Sequence, residues 1–297
     1  MNPFTKVMGA LQGAADHPLN RGRKFKAVLE YGFIQVATRL IPGEVCVPFP
    51  NNTRLLISPR MKGAAHYITP GLPEFEAMAF VMHFLRANDR FVDVGANVGA
   101  FTVLAAGVAG ATVTAFEASP DTFQMLKRNI GLNGLNDRVN AINAAVGRTE
   151  GTAQFSVGLG TENFVASNGG AAESVTVKMI PLDKELAGNP PTLIKVDVEG
   201  FETEVFGGAM QTLKQPGLRA IIAEKCNVGN RYGFDEAKLH REIRACGFVP
   251  CNYEPFSRKL SQVGEEAEGN IIYVRDLATA SECLHAAPAF QIGNLNV

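Results

Sequence analysis

The chain has 297 residues, of which 46% are apolar, so it can bury a full hydrophobic core and is not a disordered protein. Its formal net charge is −1 and its pI is about 6.5, which excludes a global basic field for nucleic acid. The five cysteines include no C-x-x-C pair and predict free thiols rather than a disulfide framework or a zinc site.

Residues 1–75 are predicted to form an N-terminal extension that closes as a lid over the ligand site of the domain that follows. Residues 1–42 look helical and contain the amphipathic stretch "FKAVLEYGFIQVATRLI", and "EVCVPF" and "TRLLIS" are predicted strands around the turn "PNN". Four cations precede the amphipathic stretch: Arg21, Arg23, Lys24 and Lys26. We interpret them as a solvated helix start, with an anionic or membrane contact as the alternative. The same helices are a candidate surface for a homo-oligomer.

From residue 89 onward, predicted strands alternate with predicted helices over about 180 residues. This alternation predicts an α/β fold with a Rossmann-like, doubly wound and mostly parallel sheet. The segments "FVPCNYEP" and "NIIYVRD" are predicted to add an antiparallel closing strand pair. The core domain then spans residues 76–276. Residues 277–297 show no clear period and are predicted to form a poorly ordered C-terminal tail.

Residues 94–116 contain no charged residue and are long enough to span a bilayer. They are rich in glycine and alanine, include Asn97 and are flanked by Asp93 and Glu117. A buried strand–turn–helix–strand unit explains this composition better, so no stable membrane insertion is expected. The amino terminus lacks the long apolar core of a signal peptide, and together with the free thiols this predicts a cytoplasmic protein.

The segment "FVDVGANVGAF" has the pattern of a strand, a glycine turn and a helix start. Dinucleotide-binding turns carry a glycine where this chain has Asn97, between Gly95 and Gly99, so a side chain stands where a pyrophosphate needs room. Asp93 places negative charge beside the turn, which suits a cationic amine. Glu117 ends the next strand about twenty residues later, where an acid can accept both ribose hydroxyls. The pattern predicts a ligand with an adenosine end and an amino-acid end.

Four segments, in this order and spacing, resemble the FkbM family of S-adenosylmethionine-dependent methyltransferases. They are "FVDVGANVGAFT", "AFEASPDTFQMLKRNIGLNGL", "INAAVG" and "IKVDVEGFETEVFGGA", and the resemblance covers roughly residues 71–276. "DVGANVG" alone indicates the wider class I methyltransferase fold, whereas "KVDVEGFE" followed by "GA" is more specific. The sequence departs from the family pattern at "EASP", where "EPSP" or "EPNP" is commoner.

The resemblance implies S-adenosylmethionine as cofactor and S-adenosylhomocysteine as product. It implies that the glycine turn holds the methionine and ribose portions, that Glu117 binds the ribose hydroxyls and that Ala118 lines the adenine. Asn143 and Ala144 are placed at the adenine edge, and Asp197 beside the methyl group that is transferred. The predicted cofactor contacts, including the strand-end acid and two lid residues, are Tyr67, Glu74, Asp93, Gly95, Ala96, Asn97, Gly99, Glu117, Ala118, Asn143, Ala144 and Asp197.

Acidic residues end two neighbouring predicted strands. Asp197 ends "TLIKVDV" at the carboxyl edge of the sheet, and we expect it to position cofactor and acceptor. Glu224 ends "LRAIIAE", where it must be solvated or paired because burying a lone charge is costly, and it is assigned to acceptor orientation or proton removal. Glu202 and Glu204 fall in the first turn of a helix and are interpreted as structural.

The predicted site includes one histidine and no assigned metal ligand. His66, in a loop before the core domain, is the competing general base. His83 is interpreted as a packed core residue, and His240 as an exposed one. Asp197, Glu199 and Glu224 could together bind a divalent ion, but the chain lacks an obvious further Asp-Asn pair, so no metal ligand is assigned.

The function that the resemblance implies is methyl transfer, and the expected reaction is O-methylation of a hydroxyl group on a sugar, a polysaccharide or a secondary metabolite. The expected partner is therefore a small-molecule or glycan acceptor and not a nucleic acid. A nucleic-acid or N-directed methyltransferase is the alternative, although the chain has no basic stripe and no N/D-P-P-Y/F/W run. A binding module without catalysis and an NAD-dependent oxidoreductase, which the fold alone would allow, are the remaining alternatives.

Overall fold

The computed structural model describes most of the chain. The described residues are 3–40, 43–58, 61, 67–68, 71–156, 164–165, 173–225, 228–264, 266–292 and 295–297. The predicted base His66 and most of the loop "GLGTENFVASNGGAA" lie outside the described residues.

The helices and strands follow the predicted alternation. The strands are β1 (Val45–Pro48), β2 (Arg54–Ile57), β3 (Arg90–Val94), β4 (Thr112–Phe116), β5 (Val139–Ile142), β6 (Ala145–Val146), β7 (Gly151–Ser156), β8 (Ser174–Ile180), β9 (Leu193–Val196), β10 (Ala220–Lys225), β11 (Val249–Glu254), β12 (Lys259–Gln262), β13 (Gly269–Val274), β14 (Gln291–Ile292) and β15 (Leu295–Asn296). The α-helices are α1 (Pro3–Asp16), α2 (Lys24–Leu40), α3 (Phe75–Phe84), α4 (Ala100–Val103), α5 (Pro120–Leu132), α6 (Leu182–Glu185), α7 (Glu202–Gly207), α8 (Glu236–Ala245) and α9 (Leu277–His285).

The central sheet has eight strands in the order β12-β11-β13-β10-β9-β3-β4-β5. The strands from β10 to β5 pair in parallel, and β13, β11 and β12 add antiparallel pairs at one edge. The predicted fold class, including the antiparallel closing pair, is confirmed. β9 is buried along its whole length, as parallel strands covered on both faces are.

Helices cover both faces of this sheet and bury two apolar cores. On one face, Phe80 of α3 and Leu126 of α5 pack with Phe91 of β3. On the other, Phe206 of α7 and Ile243 of α8 pack against the alternate residues of the same strands. Because neighbouring residues of a strand point to opposite faces, this layering decides which strand residues reach the site.

The N-terminal extension packs on the core domain. The Asn129 amide of α5 bonds both backbone groups of Leu56, at 2.6 and 3.0 Å, and thereby fixes the predicted hairpin of β1 and β2. His17 Nε2 lies 2.9 Å from the carbonyl oxygen of Leu72, which ties the α1–α2 pair to the start of the core domain. Among the described residues, no helix combines the length and the apolar character needed to cross a bilayer.

Two predictions about packing are wrong. The tail is ordered: Asp276 caps α9, and Leu284, Ile292 and Val297 are buried in the main core. His240, predicted to be exposed, is buried because its ring stacks on Tyr273 at 5.8 Å and bonds the phenol through Nδ1. Burial lowers the pKa of His240 to about 4. The prediction that His83 is a core residue is confirmed, since His83 is fully buried.

Candidate functional site

A cavity of about 490 Å³ opens at the carboxyl ends of the parallel strands, where open α/β sheets bind their ligands. The glycine turn after β3, the end of β4, the residues after β5 and the end of β9 form its walls. Tyr67, Pro73 and Glu74, which precede or begin the core domain, form another part of the wall.

The glycine turn is held against the neighbouring strands by its backbone. The amides of Gly95 and Ala96 both donate to the carbonyl oxygen of Phe116, at 3.0 and 2.9 Å. Gly95 has φ +78°, and a Cβ atom at this position would lie 1.9 Å from the carbonyl oxygen of Asp197. A glycine is therefore required here, because the turn has a left-handed conformation and touches the end of β9.

Glu117 is buried at the end of β4 and lies in the cavity wall. Its Oε2 accepts a hydrogen bond from the amide of Asn97 at 2.9 Å, and its Oε1 accepts one from the amide of Ser119 at 2.8 Å. Burial raises the pKa of Glu117 to about 7, and the two amide donors oppose this rise. Each oxygen keeps a second lone pair, so the carboxylate can still accept hydrogen bonds from a ligand in the cavity.

Lys195 is a buried cation in the middle of β9, with 2% of its surface exposed. Its Nζ donates to Asp197 Oδ2 at 2.8 Å and lies 4.4 Å from the centre of the Phe101 ring. Burial by itself lowers the pKa of Lys195, but the carboxylates of Asp197, Glu74 and Asp93 outweigh burial and hold this pKa above its ordinary value. Lys195 is therefore a permanent positive charge at the wall of the cavity.

Asp93 lies behind the wall and opposite Lys195 in the pairing of β3 with β9. Thr102 Oγ1 donates to its Oδ2 at 2.7 Å, whereas its buried Oδ1 has no hydrogen-bond partner among the described residues. Burial raises the pKa of Asp93, and the Lys195 ammonium opposes that rise. Asp93 thus belongs to the same charge cluster as Lys195, one layer below the cavity surface.

Glu74 brings a second carboxylate into the cavity from the N-terminal side of α3. Asn270 Nδ2 of β13 donates to its Oε2 at 2.7 Å. Burial raises the pKa of Glu74, and the Lys195 ammonium opposes the rise. Burial likewise raises the pKa of the neighbouring Tyr67 phenol. A carboxylate with a raised pKa that faces a cavity is a candidate for proton transfer.

Glu224 occupies the strand position that the sequence predicts. Ala223 of β10 pairs with Val196 of β9, so Glu224 and Asp197 follow at equivalent positions on adjacent strands. Glu224 is partly buried and pairs with Asn270 across the antiparallel ladder. Glu224 is not part of the cavity wall, whereas its ladder partner Asn270 bonds Glu74, which is part of the wall.

Most of the predicted cofactor contacts come together at this cavity. The wall contains Tyr67, Glu74, Gly95, Ala96, Asn97, Glu117, Ala118, Ala144 and Asp197. The remaining three lie outside the wall and support it. Asp93 is described above, Gly99 packs against Leu126, and Asn143 Nδ2 donates to the carbonyl oxygens of Glu117 and Ala118 at 2.8 and 3.1 Å.

The residue that sequence reasoning missed is Lys195. Its signal was present, because a lysine inside the apolar run "TLIKVDV" has to be paired with an acid.

Glu202 is buried and has a structural role. Its Oε1 accepts hydrogen bonds from the amides of Val198 and Gly200, at 3.0 and 3.2 Å, so the structural interpretation of Glu202 is confirmed. It thereby shapes the turn after β9 that carries Asp197.

The residues present fit an adenosine ligand with an amino-acid end. The buried Oδ1 atoms of Asn97 and Asp93 have no hydrogen-bond partner among the described residues, and both belong to the region of the glycine turn. The Asn97 oxygen lies in the cavity wall and suits an ammonium or sulfonium group, and Glu117 provides acceptors for hydroxyl donors. Within the described part of the chain, no three His, Cys, Asp or Glu residues are grouped as metal ligands.

Two proteins of similar sequence are named as methyltransferases. Over 159 residues the chain is 30% identical to the hexuronic acid methyltransferase AglP of Haloferax volcanii, a match that covers 51% of this chain and 62% of that protein. Over 75 residues it is 40% identical to a probable cobalt-precorrin-6B C(15)-methyltransferase (decarboxylating) of Halobacterium salinarum, covering 25% and 40%. The chain thus spans less than two thirds of the length of either relative.

Two solved structures illustrate the more distant likeness. The C-terminal domain of precorrin-6Y C5,15-methyltransferase from Rhodobacter capsulatus has 15% identity and a TM-score of 0.39, with 68% of this chain and 87% of that chain covered. The tRNA (uracil-54, C5)-methyltransferase of Pyrococcus abyssi, in complex with S-adenosyl-L-homocysteine, has 13% identity and a TM-score of 0.43, with 78% and 43% covered.

The family itself is shown by a match to a family model. The model described as Methyltransferase FkbM domain matches residues 93–250, which is more than half of the chain. This range begins at Asp93, before the glycine turn, and includes Glu117, Lys195, Asp197 and Glu224. The predicted family and the predicted enzyme class are thereby confirmed, and the chain belongs to the FkbM methyltransferase family.

Proposed function

We propose that this protein transfers a methyl group from S-adenosylmethionine to a hydroxyl group of a carbohydrate or a secondary metabolite. The observation that carries the proposal is the buried Glu117 carboxylate in the cavity wall, held by the amides of Asn97 and Ser119. This arrangement suits the ribose of an adenosine cofactor, because the carboxylate is fixed and still has free lone pairs.

The charged residues around Lys195 support the amino-acid end of the same ligand. Asp197 and Glu74 line the wall beside Lys195, and Tyr67 lies with them. The Asp197 carboxylate matches the ammonium group of a methionine portion, and Lys195 matches its carboxylate. We keep Asp197 as the residue that positions cofactor and acceptor.

The acceptor class is proposed from chemistry and from one relative. The relative from Haloferax volcanii is named as a hexuronic acid methyltransferase, which is consistent with a sugar hydroxyl as acceptor. The net charge of −1 does not favour a nucleic acid acceptor, because phosphate contacts need clustered cations. A glycan or a small hydroxylated metabolite therefore fits better than RNA or DNA.

The chemical task left to the protein is alignment and proton removal. S-adenosylmethionine supplies a methyl group that its sulfonium already activates. Alignment of an acceptor oxygen can contribute up to about 7–11 kcal/mol, whereas a general base gives about 10²–10⁴-fold. Lys195 stays protonated and cannot act as a base. Among the acids of the site, Glu74 faces the cavity with a raised pKa, so we assign proton removal to Glu74 ahead of Glu224 and His66.

The proposed cofactor is tested by titration calorimetry. The intact chain should bind S-adenosylhomocysteine at one site and should not bind NAD. Incubation with S-adenosylmethionine and a panel of hexuronic acids and other glycans should produce S-adenosylhomocysteine together with a methyl ether on the acceptor. Tight binding of NAD without binding of S-adenosylhomocysteine would exclude the proposal, and methylation only of amines would exclude the hydroxyl acceptor.

The general base is tested by the pH dependence of single-turnover rates with a methylated acceptor from that panel. We expect Glu74→Gln to lower the rate by about 10²–10⁴-fold and to abolish its rise with pH. Glu224→Gln is expected to keep the wild-type pH profile with a smaller loss of rate, because Glu224 lies outside the cavity wall. If His66→Ala or Glu224→Gln removes the pH-dependent limb while Glu74→Gln keeps it, the assignment of Glu74 is wrong.

A further inference from the structure

Helix α2 exposes a continuous apolar face to solvent. The side chains concerned are Phe25, Leu29, Phe33, Val36 and Leu40, which are 78%, 58%, 75%, 58% and 76% exposed. At about 100° per residue these positions fall within an arc of about 80°, so they form one line along the helix. We call these five residues the α2 stripe. Large exposed apolar patches of this kind mark sites of interaction.

The α2 stripe is not the face by which the helix is attached to the protein. Ala27 and Tyr31 are buried on the opposite side, where Tyr31 packs with Ala14 of α1. The helix therefore has two apolar faces, one used for folding and the other left open. His17, between the two helices, contacts Leu72 and the ring of Phe75, so the pair is fixed next to cavity residues Pro73 and Glu74.

The charge around the α2 stripe is strongly positive. Residues 3–40 contain six lysines and arginines and two acids, a net charge of +4 in a chain whose net charge is −1. Both acids are paired: Lys24 Nζ lies 2.8 Å from Asp16 Oδ1, and Glu30 lies 2.5 Å from Arg23 and 3.8 Å from Lys26. Arg21 and Lys26, at the start of the helix, are exposed. The stripe is thus bordered by a basic surface.

We propose that the α2 stripe docks the protein on an anionic phospholipid bilayer, with α2 lying in the plane of the interface. An apolar face with aromatic residues and flanking cations is the combination that binds such a surface. The 17 residues of α2 do not span the bilayer, in agreement with the finding for the described helices. A second copy of this chain is a less suitable partner for the α2 stripe. Two such surfaces in contact would place two segments, each with a net charge of +4, against one another, and like charges repel.

Vesicle flotation of the full chain tests the proposal. We expect the protein to float with vesicles of phosphatidylcholine mixed with phosphatidylglycerol, and to do so less with phosphatidylcholine alone or at high salt. The double variant Phe25→Ser and Phe33→Ser should reduce binding by about tenfold or more. Arg21→Glu with Lys26→Glu, which leaves the stripe intact, should reduce binding to a similar degree. Leu132→Ser, at a 40% exposed apolar residue of α5, is the matched control and should bind as wild type does.

The folding of each variant is checked first, and two results would overturn the proposal. Unchanged affinity for S-adenosylhomocysteine shows that each variant is folded and separates this test from the test of the proposed function. Absence of wild-type binding to the phosphatidylglycerol vesicles overturns the proposal. A stable dimer in analytical ultracentrifugation that dissociates in the Phe25→Ser and Phe33→Ser variant also overturns it, and identifies a second copy as the occupant of the stripe.

Discussion

Replacing Lys195 with Met is expected to lower the free energy of unfolding by about 3–5 kcal/mol, because the change removes one partner of a buried ion pair. Lys195 is 2% exposed and is the cation that the carboxylates of Asp197, Glu74 and Asp93 share. Without it, the fully buried Asp93 and the partly buried Asp197 and Glu74 remain beside one another without this positive charge. The Met side chain fills a volume similar to that of Lys, so the loss of stability arises from the missing charge and not from a cavity. Denaturant unfolding at neutral pH measures the effect.

The loss of stability in Lys195→Met should depend on pH. Burial already raises the pKa values of Glu74 and Asp93, and removal of the ammonium raises them further. A carboxyl group with a raised pKa in the folded state stabilises the fold at low pH and loses that contribution as the pH rises through this pKa. The deficit of the variant relative to wild type should therefore grow between mildly acidic and mildly alkaline pH.

Lys184→Met is the matched control for this experiment. Lys184 also pairs with an acid, Glu150, at 2.5 Å, but the two side chains are 62% and 54% exposed. Exposed pairs contribute about 0–1 kcal/mol, so the control should unfold almost as wild type does, without a marked pH trend. Equal losses in the two variants would mean that Lys195 carries no special electrostatic role.

Replacing Glu117 with Ala is expected to weaken the binding of S-adenosylhomocysteine by more than about a hundredfold. Two hydrogen bonds from the ribose to an ionised acceptor contribute about 1.5–3 kcal/mol each. The matched control is Asp121→Ala, which removes an exposed acid from the first turn of α5, outside the cavity wall. Calorimetric titration of both variants measures the difference. Wild-type affinity in Glu117→Ala would remove Glu117 from the proposed ribose site.

The same site predicts a pH dependence of cofactor affinity. Burial raises the pKa of Glu117 to about 7, and the ionised form is the one that accepts hydroxyl donors. Affinity for S-adenosylhomocysteine should therefore fall as the pH decreases below about 7, approaching a tenfold loss for each pH unit. This contribution should be missing in Glu117→Ala. In the protein without cofactor, the contribution of Glu117 to folding stability should instead increase as the pH decreases. A carboxyl group whose pKa is raised in the folded state favours the fold at low pH.

Local sequence patterns determined the framework of this protein. Periodic apolar residues predicted the alternating strands and helices. The glycine turn and the strand-end acids Glu117 and Asp197 were predicted because they follow strands at a fixed edge of a parallel sheet. These features depend on neighbours in the chain, so one sequence was sufficient to find them.

Only the tertiary structure decided which distant residues meet. Glu74 and Asn270 are 196 positions apart and share a hydrogen bond, and the chain-end residue Val297 is buried in the main core. The charge cluster around Lys195 was decided by the fold, because strand periodicity reports burial but not which acids surround a buried cation. For α2, amphipathic spacing predicted a helix, but the contact of Tyr31 with Ala14 decided that the stripe containing Phe25 stays exposed. In each case the deciding contact lies between elements that are separated in the sequence, where local pattern carries no information.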